Sequence, residues 1–422
     1  MTASSASTAS SGAGPSFREF VAIIALLMAL TAMSIDILLP AFPMIARDFQ
    51  VADGNNLQYL VYIYMFGFAA MQLVYGPISD ALGRRPVMMV GVAIYLVGCA
   101  LAYVAPSFET LALARAIQGM GAASARVLTV SIVRDRFGGR DMAQVMSFVM
   151  MIFIMVPIVA PALGGLLIAI GDWHMVFAVM FLIGVLALVW YGVRMPETMH
   201  PEFRLPLSPG RIAAAAGFCL RQRVTIGYAN AMGLLLGCLM GYIGSAQQIF
   251  EGEVYGLGVW FPLAFGLLAL AIGLGSFINA RLVQTVGMRR LTHAALIAAA
   301  VAAGSLAIVS IVYGGKPPLL VFGGLLGVFN LAFALAMPNC NALSMQPLGA
   351  VAGTASSLIG FYTTLMGTLL GLSVGLSFDG TVTPLAVGFF AICVAALIVV
   401  AITEGGRLFQ ANPPGGASER KA

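Results

Sequence analysis

The first residue in this sequence with chemical potential is an isolated carboxyl. Asp36, in MSIDILLPAFP, has apolar neighbours on both sides and is the only acidic residue well inside any apolar run. Burial favours the neutral acid, whereas a nearby cation favours the anion. A carboxyl poised between these effects can load a proton on one side of a barrier and release it on the other. A second string, LARAIQGMGAASARVLTV, carries Arg115 and Arg126 in surroundings just as apolar. Eleven residues separate them, so on a helix they project within about 20° of each other, with Gly119 and Ala122 between. At a rise of ~1.5 Å per residue, Arg115 lies about 8 Å below the nearer edge of its run, and Asp36 about 24 Å from the far edge of its own. The two reach similar heights, so an Asp36–Arg115 pair is geometrically possible. A charge at that depth is a functional candidate by default, the plain alternative being a static ion pair. For Arg126, nearer its helix end, the alternative is snorkelling to the interface.

Three strings also carry a resemblance. Gly76-Pro77-Ile78-Ser79-Asp80-Ala81-Leu82-Gly83-Arg84-Arg85 resembles the G-x-x-x-D-x-x-G-R-R signature between the second and third helices of the major facilitator superfamily. Gly76 permits close packing and Gly83 a turn at positive φ. Asp80 is suited to pair with Arg84 and to accept hydrogen bonds from the N-terminus of a neighbouring helix. The resemblance makes this a conformational latch, with Arg85 alongside, that stabilises the outward-open state. Arg115, Gln118 and Gly119 are similar to the helix-4 motif R-x-x-Q-G, with Arg126 further along the same face. VPIVAPALGGLLI, with Pro157, Pro161, Gly164 and Gly165, resembles the helix-5 motif of the superfamily's antiporters, G-x-x-x-G-P-x-x-G-G. It departs at Pro157 and at Ala160, and keeps P-x-x-G-G. Paired glycines there imply close packing against helix 8.

The elements that must position these residues are membrane helices. Of 422 residues, 60% are hydrophobic and only 9% charged, against about 25% charged in a soluble domain. Mean hydropathy is +0.99. Runs long enough to cross ~30 Å of hydrocarbon fall near 19–41, 57–78, 87–105, 109–132, 142–169 and 173–193. Six more follow near 223–248, 257–280, 291–313, 318–338, 352–376 and 384–403. The expected fold is therefore all-α and integral to the membrane, with twelve transmembrane helices in two six-helix halves, 17–193 and 223–404. A polar, arginine-rich linker (194–222) joins them. Residues 1–16 and 405–422 read as tails, the first of them disordered.

Lysine and arginine give the orientation. With both termini inside, Arg18, Arg84, Arg85, Arg134, Arg136, Arg140, Arg223, Arg281, Arg289, Arg290, Arg407, Arg420, Lys421 and four linker arginines (194, 204, 211, 221) are cytoplasmic, 17 of 21 basic residues. Only Arg47 and Lys316 fall outside, a decisive bias. The +5 net charge thus records topology and points to no nucleic-acid partner. The halves repeat each other weakly, since Gly83-Arg84-Arg85 recurs as Gly287-Met288-Arg289-Arg290 at the same place in the unit. Pseudo-symmetric halves suit alternating access. The five cysteines, all in apolar runs, read as small hydrophobes.

Pro40-Ala41-Phe42-Pro43, Ile132-Val133-Arg134-Asp135 and Ala352-Gly353-Thr354-Ala355-Ser356-Ser357 extend the resemblance to the bicyclomycin/chloramphenicol-resistance branch of drug:proton antiporters, over about residues 20–400. That implies a monomer in the bacterial inner membrane exporting small amphipathic compounds against protons, with Asp36 and Arg115 as the coupling pair. A proton-coupled transporter of a metabolite, such as an amino-acid derivative or organic acid, is the alternative. Tyr62, Phe148, Phe153, Tyr242, Phe361 and Tyr362 are mid-helix aromatics expected to line the substrate cavity. The sequence has no G-x-x-x-x-G-K-[ST] loop for ATP and no His/Glu/Cys cluster with metal or nucleophile spacing. An enzyme, a cofactor and a metal site are not expected.

Overall fold

The computed structural model describes residues 14–204 and 206–409. The tails expected at 1–16 and 405–422 lie largely outside the described residues. All regular elements among them are helical. The first span is interrupted. Helix α1 (Phe17–Asp36) stops at Asp36, a 3-10 turn follows at Leu39–Ala41, and α2 (Phe42–Asp48) carries the chain to the far side. The cause is local. Pro40 has no N–H to donate, and its ring clashes with the carbonyl four residues earlier, which is that of Asp36. The span expected at 19–41 is therefore a broken helix reaching Asp48, with Asp36 at the break.

The remaining elements are α3 (Tyr59–Leu82), α4 (Arg84–Tyr103), α5 (Phe108–Arg136), α6 (Gly139–Ile170), α7 (His174–Arg194), α8 (Pro209–Arg221), α9 (Arg223–Ala246), α10 (Phe261–Val286), α11 (Met288–Val312), α12 (Leu319–Met345), α13 (Ala352–Leu376) and α14 (Thr383–Thr403). Eleven helical segments among the described residues are long and apolar enough to span a membrane. With α6, the proline-bearing 32-residue helix in place of the fifth span, they make the twelve-helix fold. The linker is more than a polar connection. It holds α8, which buries Ala215 and Cys219, Cys219 in a small cluster with Leu348, Ala355 and Ile359.

Packing repeats between the halves. Helix α5 lies against α3 and α4 as α12 lies against α10 and α11, and α1 packs on α6 as α9 packs on α13. The halves meet along α3–α13 and α6–α10. Both repeated turns use glycine at positive φ, Gly83 at 102° and Gly287 at 87°, a conformation open to glycine at no steric cost. The end holding these turns and α8 is the basic end.

Candidate functional site

Arg115 is fully buried in the first half. Its Nε donates to the Leu60 carbonyl at 3.1 Å, one terminal nitrogen donates to Gln118, and the guanidinium lies 4.5 Å from the Tyr64 ring centroid. The other terminal nitrogen has no partner among the described residues. Gln118 in turn points its amide at Cys99 Sγ, 3.1 Å away. A Cβ on Gly119 would overlap the Tyr64 carbonyl, so glycine is what lets α5 sit against α3 at this level. Tyr64 donates its hydroxyl to the Thr31 carbonyl of α1 at 3.0 Å, and Tyr95 is 2.8 Å from Ser34 on the same helix.

Asp36 is buried at the end of α1. Among the described residues it forms no ion pair with Arg115, which corrects the direct contact that equal depth allowed. Helical rise fixes height but not direction, and Arg115 turns to Tyr64, Leu60 and Gln118 instead. Asp36 is within electrostatic reach of two tyrosines, Tyr64 of its own half and Tyr242 on α9 of the other. Tyr242 is buried, stacked on Phe265 at 5.5 Å, and its hydroxyl has no partner among the described residues. The break beside Asp36 is braced by α6. A Cβ on Gly164 would overlap the Ile37 carbonyl, whereas Gly165 faces Pro262 of α10, 3.6 Å from where its Cβ would stand. Of the two glycines expected against helix 8, only Gly165 is there; Gly164 supports α1. Pro157 and Pro161 both lie inside α6.

At the basic end Asp80 pairs with Arg84 at 2.5 Å, as its spacing implied. Arg84 also reaches Ser79 at 2.6 Å and Asp135 at 3.0 Å. The helix N-terminus that is capped is α4, and the acid that caps it is Glu197, accepting from the backbone N–H of Arg84 at 2.9 Å and of Arg85 at 3.1 Å. Arg85 donates to the Gly192 carbonyl at 2.5 Å. Gly76 packs on Ser357 of α13, where a Cβ would overlap the serine hydroxyl. Among the described residues, the side-chain bonds of Asp80 stay within its own half. Sequence reading missed Glu197 and Asp135 as partners; the signal for Glu197 was a lone acid directly after the sixth span.

At the opposite end a set of uncharged side chains closes the two halves on each other. Gln58 Nε2 donates to Gln248 Oε1 at 2.6 Å and to the Gly375 carbonyl at 2.9 Å. Gln248 donates to Asn55 at 2.8 Å, and Asn55 to the Phe378 carbonyl at 3.0 Å. Tyr62 donates to the Gly371 carbonyl at 2.8 Å. A Cβ on Gly244 or Gly375 would overlap the Tyr62 hydroxyl, so the tyrosine sits in a socket made by glycines of α9 and α13. Tyr62 was expected to line a substrate cavity; it is part of this closure. The other expected aromatics do not form one cluster. Tyr362 is 41% exposed and donates to Asn230 at 2.7 Å, Phe148 is exposed, Phe361 is half-buried, and the side chain of Phe153 lies outside the described residues. Arg126 is exposed, on the same helix as the buried Arg115.

Two bundles of this connectivity, shut at one end and joined along α3–α13 and α6–α10, form a transporter architecture, and residues 24–372 match the Major Facilitator Superfamily. The chain belongs to that superfamily. The transporter is 30% identical over 386 residues to an uncharacterized MFS-type transporter, YdgK, of Bacillus subtilis, covering 90% of this chain and 94% of the relative. It is 28% identical over 356 residues to a bicyclomycin resistance protein homolog of Haemophilus influenzae, covering 83% and 87%. It is 27% identical over 361 residues to multidrug resistance protein MdtL of Vibrio parahaemolyticus, covering 81% and 86%. Among solved structures, a D-xylose-proton symporter superposes with a TM-score of 0.70 at 15% identity, over 91% of this chain and 97% of that one. Two of these relatives, the bicyclomycin resistance protein homolog and the multidrug resistance protein, carry names of the drug-resistance branch that the motifs resemble. The transporter is a multi-pass membrane protein of multidrug type that moves small molecules, and it is not an enzyme.

Proposed function

We propose that the transporter exports small amphipathic compounds in exchange for protons, as a monomer in a bacterial inner membrane. In this reading both termini and the basic end are cytoplasmic, and the halves are two bodies, 17–193 and 223–404, that rock about the linker. The observation that carries it is Asp36, a buried carboxyl at a proline-made helix break, within electrostatic reach of Tyr64 in its own half and of Tyr242 in the other. Tyr242 belongs to the opposite half, so any movement between the halves changes the surroundings of Asp36. Alternation and protonation are thereby coupled at one group. In this reading the amide closure at the outer end belongs to a state open toward the cytoplasm, where exposed Arg126 and Tyr362 meet substrate. Arg115 acts here as a positioning residue, fixing Tyr64 against α1.

The test is substrate-induced proton release in proteoliposomes, run with phenicols, cationic dyes and amino acids. Release with phenicols or dyes, abolished by Asp36→Asn, supports drug:proton antiport. A response to amino acids alone supports the metabolite reading, and no proton movement with any of them overturns the coupling.

A further inference from the structure

At the basic end, the start of α9, the end of α14 and the last turn of α8 enclose a crevice of about 440 Å³. Ile226, Val399 and Ile402 line it, together with Leu220, which is 70% exposed. Two exposed guanidinium groups, Arg221 and Arg223, line it as well. Arg223 is anchored there by donating to the Ile402 carbonyl. The carboxylate nearest in sequence, Glu404, is turned away: its side chain is 6% exposed, accepts from Tyr228 at 2.7 Å and faces Arg289 at 3.5 Å. The crevice thus offers positive charge with no opposing carboxylate in its lining.

Depth decides what such a crevice is for. Arg223 opens one membrane-spanning helix and Thr403 closes another, so the arginines stand where headgroups meet hydrocarbon. Ile226 and Val399 lie about one turn further in, at ~1.5 Å per residue, where only acyl chains are found. A cation above an apolar slot at that level matches one molecule in a bilayer, a phospholipid with a negatively charged headgroup, and basic pockets between helices on the cytoplasmic side take such lipids. We propose that this crevice binds an anionic phospholipid of the cytoplasmic leaflet, its phosphate on Arg221 and Arg223 and an acyl chain along Ile226, Val399 and Ile402. The assignment of leaflet rests on the orientation proposed above.

The test is native mass spectrometry of the full chain incubated with dioleoyl phosphatidylglycerol or dioleoyl phosphatidylcholine. Phosphatidylglycerol should bind in preference, and Arg221→Gln, a substitution at an exposed position, should weaken it about fivefold. Ile226→Trp, which fills the slot and leaves both arginines, should weaken it at least as much. Equal binding of the two lipids overturns the proposal. So does undiminished phosphatidylglycerol binding in both variants, or equally tight binding of glycerophosphoglycerol, which has the headgroup and no acyl chains. Phosphatidylglycerol binding that persists while proton release fails leaves the lipid site standing and removes only the antiport reading.

Discussion

The side-chain amide of Gln58 donates to that of Gln248 across 2.6 Å, and this bond joins one six-helix half to the other at the end away from the linker. Both residues are buried and neither is charged. Around them, Asn55 and Tyr62 reach backbone carbonyls of the second half. Each such bond contributes about 1 kcal/mol net. The closure is therefore held by a few kcal/mol, enough to define a state and small enough for a ligand with modest differential affinity to reopen it.

Gln58→Ala should tilt the resting population toward the outward-open state by roughly 5- to 30-fold, because two bonds are lost and Gln248 is left without its donor. Spin labels at positions 56 and 379, near the outer ends of the two halves, should report longer distances by electron–electron resonance. A distance distribution like that of the unmutated chain would show that the amides do not hold the outer end.

Gly375→Leu should act in the same direction more strongly, since the socket for Tyr62 and Gln58 is then filled by a side chain. Both labels should sit in the open distribution alone, and transport should fall to background at normal expression. Retained transport would mean the socket is not needed for closure.

Asp36→Asn should abolish concentrative export and leave substrate binding within a few-fold of normal, because the change removes a titrating proton and almost no volume. Tritiated-substrate binding and uptake into inverted vesicles, measured on one preparation, separate the two. Export that persists with an unchanged pH dependence would place the proton site elsewhere.

Arg115→Ala and Arg126→Ala should differ in kind. Removing Arg115 empties a buried site and strands the Leu60 carbonyl and Gln118, a loss of about 3–5 kcal/mol visible as a lower melting temperature. Arg126→Ala should leave the melting temperature unchanged and alter substrate affinity. Equal melting temperatures for the two variants would contradict the packing described for Arg115.

Arg84 offers a double-mutant test. It is almost fully buried and shared by Asp80 and Asp135, so each carboxylate covers for loss of the other. Asp80→Asn and Asp135→Asn should each cost about 1 kcal/mol, and together clearly more than their sum, because the pair strands a buried cation. Additive melting-temperature losses would show that the two acids act independently.

The twelve spans and the isolated Asp36 were legible because apolar run length speaks directly. What was not legible depends on direction around a helix axis. Asp36 and Arg115 share a depth, yet Arg115 turns toward Tyr64, and nothing in a rise per residue reveals that. Pro40 was on view, but the consequence that its ring ends α1 at residue 36 needs the position counted back from it. Asn55, Gln58 and Gln248 were overlooked since polar residues at span ends usually serve hydration. Tyr62, by contrast, was placed in a substrate cavity because an aromatic in mid-membrane looks the same whether it meets a ligand or a glycine socket. Glu197 lay in a stretch read as mere linker, and its task of capping α4 arises only when α7 brings it back beside Gly83.

The two ends of the transporter are built from different physics. The end away from the linker is closed by dipoles, Gln58, Gln248 and Asn55, and the basic end is organised by full charges, Asp80, Arg84, Asp135 and Glu197. Mobile ions shield charges only where water reaches them, and with Arg84 only 3% exposed this cluster is screened far less than a surface ion pair. The described bonds of Asp80 stay within its own half, so the charged cluster stiffens one bundle, whereas the amides tie the two bundles to each other.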